Sequence, residues 1–188
     1  MKKTVLTFGL ISGAILSAMM LATLPFMDTI GFNRGMVVGY TTMVLAFLLI
    51  YFGVRSYRDH VAGGTVGFGR AFAVGALIAV VASLCYVATW EVIFFKLDPG
   101  FTQKYQAQAM AEARADGATG AELAAKQAEL DRFAVMYRNP AINAAFTFME
   151  PLPVALIVAL VSAGVLSRRK RREGEADAGL LPGARVTT

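Results

Sequence analysis

The run Phe146–Arg172, FTFMEPLPVALIVALVSAGVLSRRKRR, closes a long apolar segment with five consecutive basic residues and carries one acid and two prolines near its start. From Pro153 to Leu166 it offers fourteen residues, about 21 Å of helix at 1.5 Å per residue. That is too short for a hydrocarbon core about 30 Å thick, which takes roughly 20 helical residues. A crossing must therefore begin near Ala144, with Glu150, Pro151 and Pro153 inside the span or at its edge. Arg168, Arg169, Lys170, Arg171 and Arg172 then form a basic stop beyond it.

Three other runs support the same reading. The 188-residue chain is 56% hydrophobic and only 16% charged, with a mean hydropathy of +0.56. This apolar share is high for a soluble domain of that length. Residues 4–27, 35–54 and 71–95 are nearly free of charge, and residues 144–166 carry only Glu150. The expected fold is an all-α integral membrane protein with four transmembrane helices at those positions, in one domain over residues 1–172. The first run follows Met1-Lys2-Lys3. Its length, the lack of an A-x-A site and the spans that follow favour an uncleaved helix over a signal peptide.

Orientation follows from the cations that flank the spans. Lys2, Lys3, Arg55, Arg58, Arg70 and the basic stop at 168–172 fall on one side, whereas the first turn on the other side has only Arg34. The connection at 96–143 carries six basic and six acidic residues and adds no net bias. Both termini are thus expected in the cytoplasm. The net charge of +5 is concentrated at span ends, without the interleaved aromatics of an RNA-binding surface, so nucleic acid is not an expected partner. Expected partners are the lipid bilayer, a membrane protein or a second copy of the chain.

The long connection opens with Asp98-Pro99-Gly100 and is rich in helix formers from Phe101 to Arg114. Asp116-Gly117 and Gly120 mark a turn, and Thr119 with Glu122 has the spacing of a capping box for a second helix reaching about Arg138. The expected product is an external helical hairpin between the third and fourth spans; the competing picture is a solvated, alanine-rich excursion. Residues 173–188 have the composition of a disordered cytoplasmic tail.

Small residues recur every fourth position in each span: Gly9, Gly13 and Ser17; Gly35 and Gly39; Ala71, Gly75, Ala79 and Ser83; Ala155, Ala159 and Ala163. Such faces let membrane helices approach closely, and packing within one chain is the expected use. No catalytic constellation or nucleotide fingerprint is present, and no cofactor or metal is expected. The glycine-rich segment 63–69 follows a helix and lacks the Lys-Ser/Thr ending of a phosphate loop. His60 and Cys85 each stand alone of their type.

Two acids remain. A carboxylate inside a bilayer is costly unless paired, protonated or wetted, which makes Glu91 and Glu150 candidate site residues. Glu150 lies sixteen residues before Leu166 and Glu91 twenty after Ala71, about 24 Å and 30 Å along their helices. Both heights fall near the outer face, where snorkelling lowers the cost. One reading pairs them with Arg34, Lys96 or Arg138 at the interface; the other joins them in an outward-facing polar pocket for a cation or proton. Pro151 and Pro153 are expected to kink the fourth helix, a break with a restart at Pro151 being the alternative.

The chain resembles a group of small bacterial inner-membrane proteins known as domain of unknown function 4199. The resemblance rests on KKTVLTFGLISGAI at the start and YRDHVAGGTVGFGRAFAVG before the third span. It continues in YVATWEVIFFKLDPGFTQKY and NPAINAAFTFMEPLPVALIVALVSAGVLSRRKR. It implies four transmembrane helices with a long connection after the third, and a bacterial inner-membrane location. Arg58, Gly69, Glu91, Pro140, Glu150 and Pro153 match the family pattern without assigned roles. The functional expectation is a non-enzymatic bundle that scaffolds or modulates a membrane partner. The alternative is ion- or proton-coupled transport through Glu91 and Glu150.

Overall fold

A computed structural model describes residues 1–26 and 31–167, apart from the side chains of residues 32 and 33. The basic stop at 168–172 and the tail at 173–188 lie outside the described residues. All regular elements among those described are helical. In chain order they are α1 (Lys2–Thr23), α2 (Phe32–His60), α3 (Phe68–Val92), α4 (Phe101–Ala115), α5 (Gly120–Tyr137), α6 (Pro140–Met149) and α7 (Leu152–Ser167). Four segments are long and apolar enough to cross a membrane: Lys2–Phe26, Arg34–His60, Phe68–Leu97 and Pro140–Ser167.

The bundle is organised around α3, which packs against α1, α2, α6 and α7. Small side chains set how closely these helices approach. A Cβ built on Gly9 would lie 2.6 Å from Val81 Cβ, and one on Gly13 would lie 2.5 Å from Cys85 Cβ. Two glycines one turn apart on α1 thus receive two side chains one turn apart on α3. On the other side of α3, a Cβ on Gly75 would stand 3.0 Å from that of Ala159 on α7. Ala71, Ala79, Ser83, Ala155, Ala159 and Ala163 are all fully buried. Large apolar residues such as Leu10, Leu45, Leu84, Ile157 and Val161 face outward instead. Small inside and large outside suits a bundle whose surroundings are lipid tails, because tight backbone approach replaces the hydrophobic driving force.

Few polar groups enter this interior; among the described residues the Ser83 and Ser162 hydroxyls are buried there without a hydrogen-bond partner, whereas Ser12 is bonded. Ser12 Oγ donates to the Ala46 carbonyl at 3.1 Å, joining α1 to α2. Ser12→Ala is expected to lower bundle stability by only about 0.6 kcal/mol, the average for hydrogen bonds between membrane helices. Reversible unfolding in mixed micelles measures it; a loss several times larger would show that the bond does more than join two packed helices.

At the end of the bundle holding the N-terminus, Gly63 and Gly64 take φ of 69° and 85°, values that glycine adopts without a Cβ clash. They fold the α2–α3 turn so that the Gly64 N–H reaches the Arg58 carbonyl at 2.9 Å. The Arg58 side chain is buried there and donates from Nε to Asp59 Oδ1 at 2.7 Å. The glycine-rich segment is a tight turn over an ion pair, with Val66 tucked into the core.

The two connection helices occupy the opposite end. The α5 N-terminus carries the capping box: Glu122 N–H donates to Thr119 Oγ1 at 3.4 Å, and Thr119 N–H donates to Glu122 Oε2 at 2.7 Å. The Thr119 N–H, and the Thr119 hydroxyl that also donates to Glu122 Oε2 at 2.9 Å, hold the Glu122 carboxyl below the usual range for its type. Gln106 on α4 donates to Asp131 on α5 at 3.1 Å, fixing one helix against the other.

Candidate functional site

The connection end departs from a regular bundle in three places. The first is the end of α3, where Ile93–Leu97 forms a π turn and the Asp98 N–H reaches the Ile93 carbonyl at 2.8 Å. Such wide turns re-aim the residues around them and recur at functional sites. Here the turn delivers Phe94 and the following Phe101 to an aromatic cluster. The Trp90 and Phe101 rings meet edge to face at 4.9 Å, and Phe94 meets Tyr137 at 5.2 Å.

The second is the fourth span. The regular helix ends at Met149 and resumes at Leu152, although Glu150 keeps a helical φ of −62° and ψ of −54°. The Glu150 N–H still reaches the Phe146 carbonyl at 3.3 Å. Pro151 and Pro153 have no N–H to offer Thr147 and Met149, so the ladder lapses for a turn. Above this junction Asn143 is fully buried and occupied at both ends of its amide. Its Nδ2 donates to the Tyr137 carbonyl at 3.3 Å and its Oδ1 accepts from Thr147 Oγ1 at 3.3 Å. Tyr137 Oη lies 3.2 Å from Thr147 Oγ1 and accepts from Trp90 Nε1 at 3.1 Å. Burial holds the Tyr137 phenol above its ordinary value, against the opposing effect of those two hydrogen bonds. This ring of bonds ties α5 to α6 and to α3.

The third is α2. Its core-facing residues are Met43, Ala46, Phe47, Ile50, Val54 and Tyr57, and none of its described residues before Met43 is buried. Gly39 continues the face of Met43, Ala46 and Ile50 by one turn. Even so, a Cβ there would meet nothing within 4 Å. Gly39 therefore does not serve the helix packing expected of a small-residue stripe; α2 draws away from its neighbours here and leaves space.

That space is a cavity of about 380 Å³. Its walls come from Leu16, Met19, Met20 and Thr23 of α1; Gly35, Met36, Gly39, Tyr40, Thr42 and Met43 of α2; and Tyr86 and Trp90 of α3, with Ile93 beyond. The connection helices close it with Phe101, Thr102, Tyr105 and Gln106 from α4 and Leu130, Phe133 and Tyr137 from α5. Glu150 is the only charged residue among the described ones that line it. Exposed at this position, it accepts a hydrogen bond from Tyr86 Oη at 3.1 Å through Oε2.

The two acids have different surroundings. Glu91 is not among the cavity's lining residues. Its Oε1 is buried without a hydrogen-bond partner among the described residues. Arg34 and Lys96 are exposed, and neither forms an ion pair with Glu91 or Glu150 among the described residues. The reason for the split is angular. Tyr86, Trp90 and Ile93 repeat at i, i+4 and i+7 on one face of α3, while Glu91 is a further 100° around from Trp90 at 3.6 residues per turn. Matching heights along the axis do not bring residues together when the faces differ. The residues missed at the sequence level, Tyr86, Tyr137 and Gly39, carry only this weak periodic signal. Tyr86 reads as an interfacial aromatic until its partner 64 positions away is known.

A family model described as a protein of unknown function, DUF4199, matches residues 7–168. No curated protein and no solved structure matches the chain. The match covers most of the first apolar segment, the other three and the whole connection between the third and fourth, so the chain belongs to the DUF4199 family.

Proposed function

We propose that this protein acts by binding rather than by catalysis. In this reading it is a non-enzymatic membrane bundle that holds an apolar or amphipathic molecule at its connection end. The observation that carries the reading is the cavity of about 380 Å³ walled jointly by the bundle and by α4 and α5. Ligand pockets span roughly 300–1,000 Å³ and are mostly apolar with a few placed polar groups, a description this one meets. Because α4 and α5 form part of the wall, occupancy would bear directly on their posture. They are the surface by which the bundle would scaffold or modulate a membrane partner. Lys2, Lys3, Arg55, Arg58 and Arg70 fall at the opposite end, which supports that end facing the cytoplasm; a bacterial inner membrane is the location taken in this reading.

Ion- or proton-coupled transport would need Glu91 and Glu150 on one wetted path. Glu150 lines the cavity and Glu91 does not, which favours binding over transport. Trp90, the single tryptophan of the chain, lines the cavity and serves as an internal reporter. In phosphatidylcholine nanodiscs, a neutral brominated alkyl alcohol is expected to quench Trp90 fluorescence saturably at low mole fraction. Quenching that rises only in proportion to bromine in the bilayer would sink the binding reading.

A further inference from the structure

The cavity's chemistry narrows what it would hold. Its described lining contains no Lys, Arg or His, so the phosphate, sulfate or carboxylate of an anionic amphiphile would find no cation there. Such a head would also meet the like charge of Glu150, at a cost in both desolvation and repulsion. A cation meets the opposite conditions. Glu150 Oε2 is held by the Tyr86 hydroxyl at 3.1 Å, while Oε1 takes no hydrogen bond among the described residues and is left to accept one. Tyr40, Tyr86, Trp90 and Tyr137 also line the space, and the faces of such rings attract ammonium groups. Most of the remaining wall is apolar, with methionine and leucine from α1 facing Phe101 and Phe133, while Thr23, Thr42, Thr102 and Gln106 add neutral polar groups; such adaptable apolar surface follows an alkyl chain.

We propose that the cavity binds a single-chain alkylammonium amphiphile, its head hydrogen-bonded to Glu150 and its chain lying between α1 and the connection helices. This rests on the binding reading above and adds the sign of the head group. A two-chain aminophospholipid fits less well: its ammonium matches Glu150, but its phosphate has no cationic partner in the described lining. Glu150 is a binding residue in this scheme, and the junction at Pro151 places it: the helical ladder lapses at the residue that follows Glu150, whose carboxylate turns to Tyr86 on α3.

The test compares three brominated twelve-carbon chains, an ammonium, an alcohol and a sulfate, by saturable quenching of Trp90 in phosphatidylcholine nanodiscs. A charge-assisted hydrogen bond predicts that the ammonium binds about tenfold tighter than the alcohol, with the sulfate weakest. Glu150→Gln should bring the ammonium to the affinity of the alcohol and leave the alcohol unchanged, the latter showing that the variant is folded. Equal binding of all three chains would overturn the head-group assignment and leave the cavity as an unselective apolar site. An ammonium preference that survives in Glu150→Gln would overturn it as well. Absence of saturable quenching by any chain would remove this proposal and the binding reading together.

Discussion

Gly13→Leu is expected to be the most damaging substitution in the bundle. Even the first added carbon would sit 2.5 Å from Cys85 Cβ and 2.8 Å from its sulfur, with the backbone of Ala82 at 3.4 Å. The obstacle is the root of a side chain on a rigid helix, so α1 must shift away from α3 along its length. Overpacking a well-filled site costs about 1–3 kcal/mol for modest additions. A leucine here also disturbs the neighbouring Gly9–Val81 approach and the Thr89–Ser17 contact of 2.7 Å between hydroxyl oxygens. A loss of about 3 kcal/mol or more is expected, read as a lower midpoint in reversible unfolding from mixed micelles. The specific cause has its own check. Cys85→Gly removes the atoms in the way, so Gly13→Ala should be better tolerated in the Cys85→Gly background than alone, with a coupling of about 0.5–3 kcal/mol. If Gly13→Leu unfolds like the parent, the close seam between α1 and α3 is wrong.

Gly39→Phe should do the reverse, leaving the bundle standing and emptying the site of its function. The position lies on the core-facing stripe of α2 but beyond the point where that stripe touches anything. A phenyl ring there enters the cavity instead of the core. Glycine is the poorer helix former by roughly 0.5 kcal/mol relative to phenylalanine, so stability should hold or rise slightly. Saturable quenching of Trp90 by the brominated alcohol should weaken by more than about tenfold, because the chain loses the volume that it fills and the apolar area that it buries. Parent affinity in this variant would place the bound chain on some other surface near Trp90. The pair of substitutions separates the two uses of glycine in this chain, close approach at Gly13 and open space at Gly39.

That distinction was not legible along the sequence. Gly13 on α1 and Gly39 on α2 each stand four residues after another glycine, yet a Cβ on Gly13 would strike α3 while one on Gly39 would meet nothing within 4 Å. Spacing tells which residues share a face, and nothing in it says whether another helix lies opposite. The same limit applies to the acids. The rise per residue sets how far along their helices Glu91 and Glu150 lie, but whether they converge depends on how each helix is rotated about its axis.

The class of the protein and its number of spans can be read along the chain. Those follow from uninterrupted apolar length measured against the thickness of a bilayer, a local property of each segment. Thr119 and Glu122 were equally readable, since a capping box closes within four residues. Only the tertiary structure decided that Glu150 meets Tyr86, that Asn143 and Thr147 join Tyr137 and Trp90, and that α2 parts from its neighbours at Gly39. These pairings span up to 64 positions and arise from the sum of all helix contacts. The cavity exists because α2 reaches its packing face at Met43 while α4 and α5 cover the space before it, an outcome set by no single segment.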